Sequence, residues 1–203
     1  MKIRKAQKHD VDACVPLIYS AAEALFDYIY QHKQIAATRF IYNEFLSEQG
    51  YSSYRLHWVV EHNGIVVATV ACYSKKDLLK MDQGTVKNIL AMYKLRFPLV
   101  VSRALHAGSV VTKPCESCLH IANFGVHPNY QSQGIGSLLL QHLKSLAQQQ
   151  GYTALSLDVS QKNPNGQRLY ERIGFRVVKE TEFKGAKNSA IPNGRRMEWW
   201  FLI

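Results

Sequence analysis

The stretch Val126-His127-Pro128-Asn129-Tyr130-Gln131-Ser132-Gln133-Gly134-Ile135-Gly136 has the make-up of a loop that holds an anion. Gly134 and Gly136 let main chain come close to a ligand. Behind them Ile135, Leu138, Leu139, Leu143 and Leu146 share one face, which predicts an amphipathic helix over 134–149. The free N–H groups and the positive dipole end of that helix point into the loop, and this geometry binds phosphate. Gly-x-Gly is a short signal, and the same residues also suit a turn that only packs a helix on a sheet. No Lys-Ser/Thr follows the last glycine, so the loop is not a P-loop; the third glycine of a dinucleotide fingerprint is missing too. Further on, Leu155, Leu157 and Val159 alternate along a strand. Asp158 lies on its other face at the C-terminal end, where ligands of α/β layers sit. Asn163 and Pro164 form an N-cap and first-turn pair, Tyr170 follows two turns later, and Gly174 is placed to end the helix.

These residues need elements to carry them. Lys2–Ala6 reads as a first strand. Val11, Cys14, Val15, Ile18, Ala22, Leu25, Phe26 and Ile29 recur at helical spacing and predict one amphipathic helix, followed by a second over Thr38–Ser47. His57–Glu61 and Ile65–Cys72 flank Asn63-Gly64, a strong hairpin signal. Leu78–Met81, Val86–Leu95 and Leu99–Leu105 look helical, punctuated by Gly84, Pro98 and Gly108; they form a helical insertion at about 74–117. Then come strand Leu119–Val126, helix Gly134–Gln149, strand Ala154–Val159, helix Pro164–Ile173, strand Phe175–Glu182 and a last strand Arg195–Ile203. Alternating strands and helices imply an α/β layer with local parallel pairing.

The chain has 203 residues, 47% of them apolar, which suffices for a large core and argues against disorder. The expectation is a single domain over 1–203. No apolar run is long enough to span a bilayer, and the basic N-terminus lacks the apolar stretch of a secretory signal. A soluble cytoplasmic protein with no membrane partner is expected. Four cysteines do not make a disulfide scaffold. Cys115 and Cys118, near His120, have no second pair to complete a zinc site, so two thiols in a loop and no metal are expected. The net charge of +10 is spread over both halves. It suits an anionic ligand, an acidic partner or nucleic acid; with no recognition motif, nucleic acid is not expected.

Gln131-x-x-Gly134-x-Gly136 resembles the Gln/Arg-x-x-Gly-x-Gly/Ala motif of the GCN5-related N-acetyltransferases (GNAT). Asn163 and Leu169-Tyr170-Glu171-Arg172-Ile173-Gly174-Phe175 resemble the second signature of that family. The close match covers about residues 119–176. The resemblance implies a mixed, mostly antiparallel seven-stranded sheet, splayed between strands 4 and 5, with helices on both faces and the insertion between strands 3 and 4. It implies acetyl-CoA, or a longer acyl-CoA, as co-substrate. The amides of Ser132, Gln133, Gly134, Ile135, Gly136 and Ser137 would hold the pyrophosphate, with Gln131 ordering the loop. Phe124, Gly125 and Val126 would pair with the pantetheine arm and polarise the thioester carbonyl, and Asn163 would touch the same arm. Tyr170 would act as general acid. Asp158 matches a Glu used as base in the ribosomal-protein N-terminal acetyltransferase branch, although it is the shorter acid. Ser132 and Gln133 depart from the basic side chains common in this loop, so phosphate binding must rest on main-chain amides.

The implied reaction is direct attack by a small amine or peptide amine on acetyl-CoA in a ternary complex. The other reading of the same fold is a non-catalytic acyl-CoA-binding regulatory module. Dimers are common in the family, so a homodimer is the oligomer that it suggests. The acceptor would be read by residues 20–50 and the insertion. There Phe26, Tyr28, Tyr30, Phe40, Tyr42 and Phe45 are either core or binding surface, and Glu23, Asp27 and Glu44 are either solvated or ready to hold a cationic amine.

Overall fold

The computed structural model describes residues 1–185 and 190–201. Its sheet has seven strands: β1 (Lys2–Lys5), β2 (His57–His62), β3 (Ile65–Tyr73), β4 (Cys118–Val126), β5 (Ala154–Ser160), β6 (Arg176–Thr181) and β7 (Gly194–Trp200). The spatial order is β1-β2-β3-β4-β5-β7-β6. Only β4 and β5 pair in parallel, because a helical crossover joins them. The hairpin turn lies where Asn63-Gly64 predicts it, with φ of 51° and 79°, the left-handed values of a type I′ turn. The end of the last expected strand, at 202–203, lies outside the described residues.

One face of the sheet carries α1 (Val11–Ala21), α2 (Glu23–Tyr30), α3 (Ala37–Leu46), α4 (Leu78–Tyr93) and α5 (Phe97–Ala107); the other carries α6 (Ile135–Gln149) and α7 (Pro164–Ile173). Each face has its own core. The α6 core buries Leu139, Leu140 and Leu143 completely against Leu155 and Leu157 of β5. Each such side chain contributes about 2 kcal/mol.

Three local expectations change. The long first helix is two helices, broken at Ala22 (φ −159°, ψ 51°). The break turns the apolar side of α1 (Cys14, Val15, Ile18) to the sheet, while Phe26, Ile29 and Tyr30 of α2 pack with α3 and α5. Gly84 does not interrupt α4. A Cβ there would stand 2.5 Å from Gln49 Cβ and 2.7 Å from Gly50 N, so the glycine admits the 49–50 main chain instead. Cys115 and Cys118 are not two thiols but a disulfide, with Cα atoms 5.1 Å apart; Cys14 and Cys72 are free and buried. That bridge fixes residues 115–118 at the start of β4. Among the described residues no group of three or more potential ligands could hold a metal ion, and no helix is long and apolar enough to cross a membrane.

Candidate active site

The sheet opens where the site residues converge. β4 pairs with β5 only from Cys118↔Ala154 to Ile121↔Leu157. Beyond that, β5 stays paired with β7, whereas Ala122–Val126 of β4 have no partner on the β5 side. The divergence starts at a bulge. Ala71 faces Ala122 and Thr69 faces Gly125, so β4 holds one residue more than β3. Asn123 takes up the extra length in the left-handed region (φ 51°), and its Nδ2 donates to the Tyr51 carbonyl at 3.2 Å.

Gly125 follows the bulge for steric reasons. A Cβ on it would lie 2.2 Å from the Leu17 carbonyl oxygen, in the main chain of α1. Phe124 points the other way, toward Tyr170, with ring centroids 6.4 Å apart. Val126 turns its carbonyl to the loop and accepts a hydrogen bond from Gln131 Nε2 at 3.1 Å. Gln131 therefore ties the loop to the open edge of β4. Gln133 Nε2 donates to the Asn129 carbonyl at 2.9 Å and braces the turn before it.

From Ser132 to Ser137 none of the main-chain amides donates a hydrogen bond within the described residues. Ser132 (φ 60°) and Gly134 (φ 81°) are both left-handed, and between them they lead the chain into α6. Gly134 meets open space, so its need is conformational. Gly136 is needed for approach: a Cβ would stand 2.9 Å from Leu169 of α7 and 3.7 Å from Phe124. A run of free amides at the positive end of a 15-residue helix offers donors of the kind that suit an anion. Residues 132–134 are exposed, so an anion can reach them.

Asn163 caps α7, its Oδ1 accepting from the Gly166 amide at 2.9 Å. Its Nδ2 makes no bond among the described residues and is free for a ligand. Tyr170 lies two turns on, partly buried between Phe124 and Phe175. Its hydroxyl has no partner among the described residues, and burial pushes the phenol up to about 12. The donor-side expectations thus come together at one opening, and these groups suit a diphosphate joined to an extended amide-bearing arm.

Asp158 belongs to a different setting. Its side chain leaves the sheet on the α1 side, beside Arg196, its register partner on β7. Oδ2 accepts from Arg196 Nη1 at 3.2 Å and from the Thr112 amide at 2.9 Å. Oδ1 is buried and accepts nothing. Burial raises the carboxyl above its ordinary value, against the opposing pull of Arg196 and of the Thr112 amide. His120 Nδ1 accepts from Arg196 Nη1 at 3.0 Å, and Nε2 faces Asp158 Oδ2 at 3.8 Å. Burial and Arg196 lower the His120 imidazole well below its ordinary value, so it is neutral.

Arg196, His120 and Thr112 escaped sequence reasoning as site residues. Asp158 near the end of β5 and Arg196 near the start of β7 meet only through the antiparallel register of the two strands. The acidic side chains nearer the N-terminus do other work. Glu44 is fully buried and accepts from the Thr85 hydroxyl and the Ser52 amide, so it is neither solvated nor free for an amine. Asp27 accepts from the Tyr19 hydroxyl at 2.9 Å. Phe26, Tyr30, Phe40 and Phe45 are core, with Tyr30 and Phe40 stacked at 4.0 Å.

The sequence model of the acetyltransferase (GNAT) family matches residues 18–175. The chain belongs to the GNAT family. Among curated relatives, the [ribosomal protein bS18]-alanine N-acetyltransferase of Escherichia coli (strain K12) is 42% identical over 53 residues, 26% of this chain and 36% of that protein. The enzyme of that name from Haemophilus ducreyi (strain 35000HP) is 36% identical over 67 residues, 32% of this chain and 46% of its own. The chain thus spans under half the length of these relatives. The GNAT fold extends much further. A solved acetyltransferase superposes with a TM-score of 0.68 at 20% identity, covering 98% of this chain and 99% of its own. An N-acetyltransferase from Staphylococcus aureus Mu50 gives 0.66 at 17%, covering 98% and 100%. The Escherichia coli ribosomal-protein-S18-alanine N-acetyltransferase gives 0.55 at 17%, covering 100% and 94%.

Proposed function

We propose that this GNAT protein transfers an acetyl group from acetyl-CoA to a primary amine by direct attack in a ternary complex. The observation that carries the reading is the row of unbonded amides from Ser132 to Ser137, which opens beside the unpaired edge of β4 and the Tyr170 phenol. Acetyl-CoA supplies the activated thioester carbonyl. The amides of Ser132, Gln133, Gly134, Ile135, Gly136 and Ser137 bind its diphosphate, and Gln131 holds their loop in place. Main-chain groups of Phe124, Gly125 and Val126 pair with the extended arm, and an N–H there polarises the carbonyl. Asn163 donates to the same arm through Nδ2.

Asp158 takes the proton of the attacking amine. Its unpartnered Oδ1 has lone pairs to spare, and its raised pKa makes it a stronger base than an exposed Asp. Because Oδ1 is buried, the amine reaches it directly only if the site opens, or else passes its proton through one water. As the C–N bond forms and the C–S bond breaks, Tyr170 donates its proton to the leaving sulfur. The acceptor is a small amine or a peptide amine. A free N-terminal alanine is the first to try, since curated relatives are named for it. One domain over 1–203 with a helical insertion, a homodimer and a cytoplasmic location belong to the same proposal.

The test is thiol release from acetyl-CoA across a panel of amines, including a short peptide with an N-terminal alanine. Acceptor-dependent release is expected. Saturable acetyl-CoA binding without release for any amine would make the protein a regulatory module on this fold.

A further inference from the structure

The buried arginine of the described chain is neither a phosphate ligand nor a proton donor. Arg196 is 2% exposed and is the largest of the fully buried side chains. Its Nη1 donates to the Thr112 carbonyl and to His120 Nδ1, both at 3.0 Å, and to Asp158 Oδ2 at 3.2 Å. Its Nη2 donates to Ser156 Oγ at 3.0 Å and to the Lys113 carbonyl at 3.4 Å. Its Nε makes no hydrogen bond, and Glu198 Oε1 lies 3.6 Å away. A guanidinium stays in such a place only if its neighbours are held to match its planar fork.

What it gathers is specific. Two carbonyls come from the segment that crosses from α5 to β4, and that segment ends in the Cys115–Cys118 bridge. The Thr112 amide in the same segment donates to the Asp158 oxygen that Arg196 holds. His120 comes from β4, three residues before the bulge at Asn123. A packing arginine would need none of this convergence.

We propose that Arg196 is a positioning residue for the acceptor half of the reaction: its fork fixes the Asp158 carboxylate, the His120 ring and the Thr112–Lys113 main chain in one arrangement. This rests on the reading of Asp158 as base. With Oδ2 committed to Arg196 and Thr112, only Oδ1 is left for the amine, so the fork also decides which oxygen works. The charged and titratable groups facing Asp158 are Arg196 of β7, His120 of β4 and Tyr73 of β3, with Glu198 behind Arg196 and Asp82 of α4 acting through Tyr73. Arg196 is the one cation in this group. Removing it favours the protonated acid, which moves ionisation of Asp158 to higher pH.

The test compares wild type, Arg196→Gln, Arg196→Lys and Asp158→Asn. The readouts are coenzyme A affinity, turnover with the best amine of the panel, the pH profile of turnover, and the 13C carboxyl titration of Asp158, which needs no acceptor. In Arg196→Gln, turnover near neutral pH should fall at least about tenfold with coenzyme A affinity unchanged. The acidic limb and the carboxyl titration should move together to higher pH, by about one unit, equivalent to 1.4 kcal/mol. Arg196→Lys should recover part of the shift. If Arg196→Gln fails to fold, Thr112→Pro removes the other donor to Oδ2 and should move both in the same direction. A loss of turnover with an unmoved profile and titration would overturn the proposal, and so would unchanged turnover. Asp158→Asn separates the two readings: if it retains full turnover, the base reading falls and takes this one with it. If it abolishes turnover while Arg196→Lys and Arg196→Gln titrate like wild type, only the role of Arg196 falls.

Discussion

Tyr170→Phe is expected to lower turnover by about a hundredfold or more while coenzyme A affinity changes by less than about twofold. The phenol sits between Phe124 of the open β4 edge and Phe175, and its hydroxyl has no partner among the described residues. Removing one oxygen therefore breaks no internal bond, and the ring keeps its contacts. In the proposed reaction, what is lost is a proton for the leaving sulfur. A thiolate can leave unaided, so the loss is large but not total. The pH dependence has a definite sign. Burial raises the phenol from 10 to about 12, so it stays protonated, and able to donate, throughout the neutral and mildly alkaline range. Any alkaline fall in turnover below that value must belong to another group and should persist in Tyr170→Phe. Steady-state kinetics of thiol release beside a coenzyme A titration measures both quantities. A turnover that matches wild type would remove the acid role.

Gly125→Ala is expected to destabilise the fold by about 3 kcal/mol. The added Cβ would stand 2.2 Å from the Leu17 carbonyl oxygen and 2.7 Å from its carbonyl carbon. These are main-chain atoms in the middle of α1, not the end of a flexible side chain. α1 must move, or β4 must, and both build the site. Gly134→Ala is the control: it meets open space at φ 81°, so only the left-handed conformation is penalised, by about 1 kcal/mol. Urea unfolding midpoints of the two variants measure the difference. Equal midpoints would mean that the approach of β4 to α1 carries no strain.

What the sequence made legible was local. Asn63-Gly64 announces its turn because two consecutive left-handed residues leave few alternatives. The start of α6 and the cap at Asn163 follow from residue types with one preferred place each. The paired motifs pointed to one opening because the residues that carry them lie within about fifty residues of chain. The acceptor side was not legible for the opposite reason. Asp158 meets Arg196 through the register of β5 on β7, and meets Thr112 in the segment between α5 and β4. Neither contact has a sequence pattern. The break at Ala22 was hidden because apolar spacing runs on through it; only the separate packing of α1 and α2 divides the helix. Gly84 misled in the other direction, since a glycine that admits a neighbouring main chain looks like one that ends a helix.

The central claim is that the unbonded amides of 132–137 receive a diphosphate. A coenzyme A titration followed by 1H–15N NMR tests it directly. The account predicts the largest shifts, and the greatest slowing of amide exchange, at residues 132–137, with smaller shifts at 124–126 and 163. Saturable binding that leaves the 132–137 amides unmoved would contradict it.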